Sequence, residues 1–169
     1  MVKPIITITL ATLLTPCFAE EPKTATPKEQ VAGATKMCAD NAEAMTARHK
    51  EKPLYYRLGE REGIKTFATK LLASHKQNPE ISHIFSKVPE KQFVANVTDY
   101  ISAGSGGKSE YKGRDMTTIH KNMGITSAHF LAAGADAQMV MKEMGLGENE
   151  IQEMVCSLVA MVPQVVTRD

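Results

Sequence analysis

Ile64, Phe67, Ala68, Leu71, Leu72 and His75 fall at i, i+3, i+4, i+7, i+8 and i+11, which is one face of an α-helix and not of a strand. The same period recurs downstream. Pro89 opens a segment with Phe93, Val97, Tyr100 and Ile101 on one side, and Gly104-Ser105-Gly106-Gly107 ends it. Thr126 caps a longer segment whose inward face is expected to be Phe130, Ala133, Gly134, Ala137, Met141 and Met144. A last helix is expected to carry Ile151, Met154, Val155, Leu158, Val159 and Val162. Shorter turns of helix are expected over Glu80–Phe85, after the Asn78-Pro79 stop, and over Arg114–Asn122, before Gly124. No sustained apolar–polar alternation and no hairpin signal occurs, so the fold class is all-α.

The other end of the chain reads differently. Residues 1–19, MVKPIITITLATLLTPCFA, combine Lys3, an apolar run from Ile5 to Leu14 and the small-residue end Cys17-Phe18-Ala19. That is the layout of a secretory signal peptide cleaved after Ala19. The run is too short for the roughly 20 residues that span a bilayer, so stable membrane insertion is not expected. Residues 20–53 read as a linker and an N-terminal helical extension. Thr26-Pro27-Lys28-Glu29 is a helix start, and one helix is expected from there to about His49, with Val31, Ala34, Met37, Cys38 and Met45 as a thin apolar stripe. Residues 54–169 form the main domain.

With the leader removed, 19 basic residues stand against 19 acidic ones. No positive excess exists to neutralise a phosphate backbone, which argues against a nucleic-acid partner. Two cysteines remain. An oxidising compartment lets Cys38 and Cys156 pair, and two small buried hydrophobes are the equal alternative.

Motifs for nucleotide binding, Cys-x-x-Cys redox chemistry, covalent c-type haem attachment and His-Glu-x-x-His zinc chemistry are absent from the sequence. Of the five histidines, His120 has distinctive surroundings: Met116 lies one turn before it, and Met123 and Ile125 just after. A neutral imidazole in an apolar wall is a typical axial ligand for an iron porphyrin.

Leu54-Tyr55-Tyr56-Arg57-Leu58-Gly59 followed by Glu62-Gly63-Ile64 resembles the opening of the truncated globins. Ile84-Phe85-Ser86 is similar to their Phe-Phe corner. Tyr111-Lys112-Gly113-Arg114-Asp115-Met116, His120, Met123-Gly124-Ile125-Thr126 and His129-Phe130 resemble the proximal signature of group I, and Val162-Pro163 falls where the family often has Ala-Pro. The other groups usually carry a Trp near the ligand, and this chain has none.

The resemblance implies a truncated globin-like two-over-two helical sandwich, here with an extra N-terminal helix, holding a non-covalent haem b. His120 would be the metal ligand and Phe85 would stack on the porphyrin. Phe93 and Val97 would face the distal side. Met116, Ile125 and Phe130 would line the proximal side, Ala133 would lie near the ring, and Tyr111 would reach a propionate. Gly106 and Gly107 match the glycines that unwind the chain before the proximal helix. Ordinary core packing also accounts for Phe93, Val97 and Met116.

One departure bears on function. The family usually places a Tyr in its second main helix and a polar residue opposite, and alignment on Phe85 puts Leu72 and Val97 at those positions. The distal pocket of Leu72, Phe93 and Val97 is thus expected to be apolar, with Gln92 and Asn96 as the nearest polar side chains. The expected role is an exported, periplasmic or secreted globin that binds oxygen, nitric oxide or carbon monoxide, with a reductase as partner. Oxygen transport is the family default, and nitric oxide dioxygenase-type activity is the closest enzymatic variant. The alternative is an electron-transfer haemoprotein with an endogenous sixth ligand such as His75, Lys91 or a Met.

Overall fold

The computed structural model describes residues 24–169. The leader reading, with Lys3, Cys17 and the cleavage point, lies outside the described residues.

Thr26 opens α1 (Pro27–Asp40) with a reciprocal cap: its side-chain oxygen accepts from the Glu29 N–H at 3.3 Å, and the Glu29 carboxylate accepts from the Thr26 N–H at 2.7 Å. The single helix expected to run on to His49 is broken at Asn41, where α2 (Ala42–Glu51) begins. Asp40 and Asn41 compete with the helix for backbone partners, and the Asn41 amide folds back to donate to the Met37 carbonyl at 2.8 Å.

The body follows as α3 (Leu54–Arg57), α4 (Glu60–Gln77), α5 (Ser82–Phe85), α6 (Glu90–Gly104), α7 (Met116–His120), α8 (Ser127–Glu143), α9 (Glu148–Val159) and α10 (Val162–Val165). No strand occurs among the described residues. Helix α4 packs on α6, α8 packs on α9, and α4 crosses onto α8, which makes two layers of two helices. All six residues of the expected α4 face are buried. Ile64, Phe67 and Leu71 meet Ala137, Val140 and Met141 of α8 and Ile151 and Met154 of α9 in the core. Truncating one such large side chain to Ala costs about 2–5 kcal/mol.

The inward face of α8 differs from the expectation. Phe130, Ala133 and Gly134 are only half-buried, Met144 packs at the edge of the core as expected, and Asp136 and Val140 are buried with Ala137 and Met141. This helix has a buried side toward the core and a second, half-buried side that carries Phe130 and Ala133. The last helix is also two: α9 ends at Val159, and Val162 begins α10, with Pro163 in its first turn. In α9, Glu153 and Cys156 are buried while Val155 and Leu158 stay half-buried.

The extension is tied to the body. Helix α1 lies on α8 and α9, and a disulfide joins Cys38 to Cys156, with Cα atoms 5.4 Å apart. Glu153 of α9 is paired by Arg48 of α2 at 2.6 Å and by Arg57 of α3, and Arg57 also meets Glu150 at 2.6 Å. Two guanidinium groups on one buried carboxylate satisfy its lone pairs, the condition under which a buried charge is tolerated.

Candidate functional site

Helix α7 ends on His120. Asp115 caps it by accepting from the Thr118 N–H at 2.8 Å. The His120 Nδ1 lies 2.8 Å from the Met116 carbonyl. A carbonyl only accepts, so Nδ1 is the donor, and in the neutral ring Nε2 then carries the lone pair that a metal needs. The turn that delivers the chain here requires glycine twice. Gly106 has φ +93°, and a Cβ on Gly107 would come within 2.6 Å of the Ser102 carbonyl oxygen.

Apolar side chains on four of these helices are left half-buried. Phe93, Val97 and Tyr100 on α6, Phe130 and Ala133 on α8, Met116 and Ile119 on α7, and Phe85 at the end of α5 all keep part of their surface open. On α6 the buried residues are the small Thr98 and Ser102, Ile101 packs against the core, and Phe93, Val97 and Tyr100 are half-buried. Phe85 and Phe93 meet edge to face with centroids 6.0 Å apart. Leu72 is wholly buried in α4, and Ile125 is buried just before α8. Gln92 and Asn96 are exposed and bonded to one another at 3.1 Å. Tyr111 stacks edge-on to Tyr100 at 5.1 Å, and its hydroxyl donates to the Arg114 carbonyl at 3.0 Å. A propionate contact would need that bond exchanged.

One feature escaped the sequence reading of α8. Asp136 is buried beside His75, with Oδ2 2.8 Å from Nδ1, and it accepts from the Asn78 amide at 2.9 Å. The His75 ring lies on Phe85 with centroids 4.4 Å apart. Burial pulls the His75 pKa below its ordinary value, against the upward pull of the Asp136 carboxylate. The signal was present: Asp136 precedes Ala137 on the inward side of α8, His75 ends the apolar face of α4, and each buried polar group needs a partner.

No group of three or more His, Cys, Asp or Glu side chains is placed to hold a bare metal ion among the described residues. A single imidazole that donates through Nδ1, as His120 does, instead suits an iron whose remaining protein-independent ligands would come from a porphyrin.

No sequence-family profile matches the chain. It is 30% identical over 105 residues to the group 1 truncated haemoglobin GlbN of a Synechocystis species, spanning 60% of this chain and 85% of that protein. The chain belongs to the group 1 truncated haemoglobins. This truncated haemoglobin is also 28% identical over 109 residues to a group 1 truncated haemoglobin of Tetrahymena pyriformis, spanning 62% of this chain and 87% of the relative. The crystal structure of a Tetrahymena pyriformis truncated haemoglobin in its Fe(III) form superposes with a TM-score of 0.63 at 22% identity, covering 70% of this chain and all of that one. The cyanomet 2/2 haemoglobin of a Synechococcus species, with covalently attached haem, gives 0.61 at 21% identity over 68% of this chain and 98% of that one. The two-over-two sandwich of this truncated haemoglobin is thus the fold of those structures.

Proposed function

We propose that this truncated haemoglobin is exported, holds a b-type haem on His120, and binds a diatomic gas on an apolar distal side. Haem is the cofactor of the family, and when bound it supplies an iron with a coordination position open to a gas. The observation that carries the reading is the His120 imidazole, with Nδ1–H donating to the Met116 carbonyl and Nε2 left for iron. That bond fixes both the tautomer and the ring direction. Phe85, Phe93, Val97, Met116, Ile125, Phe130 and Ala133 are the residues assigned to the walls, where they exclude water from the porphyrin faces, and Tyr111 is assigned to the edge.

The specific gas follows from the distal side chains. Leu72 and Val97 carry no hydrogen-bond donor, and Gln92 and Asn96 are exposed and satisfied by each other. Bound dioxygen carries partial negative charge and benefits from a donor more than carbon monoxide or nitric oxide does. The reading therefore favours nitric oxide chemistry or gas sensing over oxygen transport, with a reductase as the partner that restores ferrous iron. Export is supported by the leader layout of residues 1–19 and by the Cys38–Cys156 disulfide, since disulfides persist in oxidising compartments.

The electron-transfer alternative has one observation in its favour: His75 shares its Nδ1 with the Asp136 carboxylate, the outer partner that ligating imidazoles commonly have. Absorption spectra of the ferric, ferrous and carbonmonoxy protein decide between them. A five-coordinate ferrous spectrum, lost in His120→Ala and kept in His75→Ala, is expected. A low-spin six-coordinate ferrous spectrum that becomes five-coordinate in His75→Ala supports electron transfer. A native spectrum in His120→Ala overturns the ligand assignment.

A further inference from the structure

The proximal segment is held from a direction that the sequence did not suggest. After α10, the chain runs back toward the end of the His120 loop. The Thr167 and Arg168 N–H groups both donate to the Ile125 carbonyl, at 2.9 and 3.1 Å. The Ser127 N–H donates to one Asp169 carboxylate oxygen at 2.9 Å, and the buried Ser127 hydroxyl donates to the other. Helix α10 itself packs on α7. Residues 125–127 are thus gripped at a carbonyl, an amide and a hydroxyl by three successive residues of the tail.

The position of that grip gives it a role. His120 ends α7, and Lys121–Gly124 is an exposed or half-exposed connection containing a glycine at φ +61°. Such a connection does not by itself determine where α7 lies relative to α8. Thr126 already caps α8 through the His129 N–H at 3.2 Å. Asp169 satisfies the next unpaired donor, the Ser127 N–H in the first turn, and puts a negative charge at the positive end of the helix. Tail, loop and helix start therefore form one closed set of hydrogen bonds directly after the candidate iron ligand.

We infer that Asp169 is a positioning residue for His120: by clasping Ser127 while Thr167 and Arg168 hold Ile125, it determines where the proximal imidazole lies and how firmly it grips iron. The inference rests on His120 being that ligand.

The test compares unmutated protein with Asp169→Ala, Asp169→Asn and Ser127→Ala, each purified with haem. In the ferrous five-coordinate form, resonance Raman reads the iron–histidine stretching band, and transfer of ferric haem to excess apomyoglobin reads haem loss. Asp169→Ala is expected to shift or broaden the band and to speed haem loss several-fold, with the helical circular dichroism unchanged. Asp169→Asn keeps an oxygen for the Ser127 N–H and is expected to restore most of both, and Ser127→Ala should fall between. An unchanged band and unchanged haem loss in Asp169→Ala overturn the inference while leaving haem binding intact. If the unmutated protein takes up no haem, the functional reading fails first. Amide exchange of residues 121–126 in haem-free protein then still decides about the clasp: it should rise in Asp169→Ala, and equal exchange refutes it.

Discussion

Reducing the Cys38–Cys156 bond should lower the stability of this globin by about 5 kcal/mol. The bonded residues are 118 apart in sequence, and at 25 °C the chain-entropy relation for a loop of that length gives about 4.9 kcal/mol. For a chain of this size, at roughly 3 °C per kcal/mol, that corresponds to a melting point lower by about 15 °C. The entropic account puts the effect in the unfolded ensemble, so the reduced native protein should keep its helical circular dichroism while its urea m-value rises, because a chain without the cross-link exposes more surface on unfolding. The structure adds a local consequence. Val31 is the one fully buried residue of α1, so without the bond this helix has little apolar surface to hold it. Amide exchange over residues 27–40 should therefore accelerate on reduction well before the rest of the protein opens. The assay is urea and thermal unfolding of oxidised protein, protein with reductant, and a Cys38→Ser, Cys156→Ala double variant. Intact mass first confirms the absence of two hydrogens in the oxidised form. A verified bond whose reduction moves the unfolding free energy by less than about 1 kcal/mol would refute the loop-entropy reasoning.

Other outcomes follow from the site. Leu72→Tyr should slow oxygen release by about 10- to 150-fold, the equivalent of one charge-assisted hydrogen bond of roughly 1.5–3 kcal/mol, with carbon monoxide release changed much less; stopped-flow mixing reads both, and slow release from the unmutated protein that Leu72→Tyr does not alter would restore oxygen carriage. His75 is held below its ordinary value of 6.5 because burial disfavours the charged ring, so the stability it contributes is complete above pH 6.5 and is lost as pH falls toward the lowered folded-state value. Urea unfolding between pH 7.5 and about 5 should show that decline, and a curve of equal slope in His75→Gln would contradict it.

Local features of the fold were legible because they rest on local physics. The face of α4, the reciprocal Thr26–Glu29 cap and the Asn78 stop all depend on residues within a few turns of each other. The break at Asn41 is also local: the weak helix tendency of Asp40-Asn41 prevails over the continuous apolar stripe of Val31, Met37 and Met45. Partnerships across the chain were not legible. Arg48 finds Glu153 from 105 positions away, and Ser127 finds Asp169 from 42, and no spacing rule connects such pairs. The site divides in the same way. His120 stood out through its apolar neighbours and the motif around it, whereas its Met116 carbonyl contact, which selects the tautomer, required coordinates. The two-sidedness of α8 was hidden because a single apolar stripe was sought on a helix that serves the core and the site at once.

Helix α6 buries the small hydroxyl residues Thr98 and Ser102 and leaves Phe93 and Val97 half-buried, which ties folding to cofactor supply. The Thr98, Ser102 and Ser105 hydroxyls are buried without partners, so this interface gains little from polar bonding. In the proposed haem complex the porphyrin would cover the part of Phe93 and Val97 that the folded chain leaves open. A ligand that binds the folded chain alone adds about 2.7 kcal/mol once its free concentration reaches a hundred times its dissociation constant. Where haem is scarce, this protein would thus stand in a form that unfolds more readily and is cut sooner by proteases.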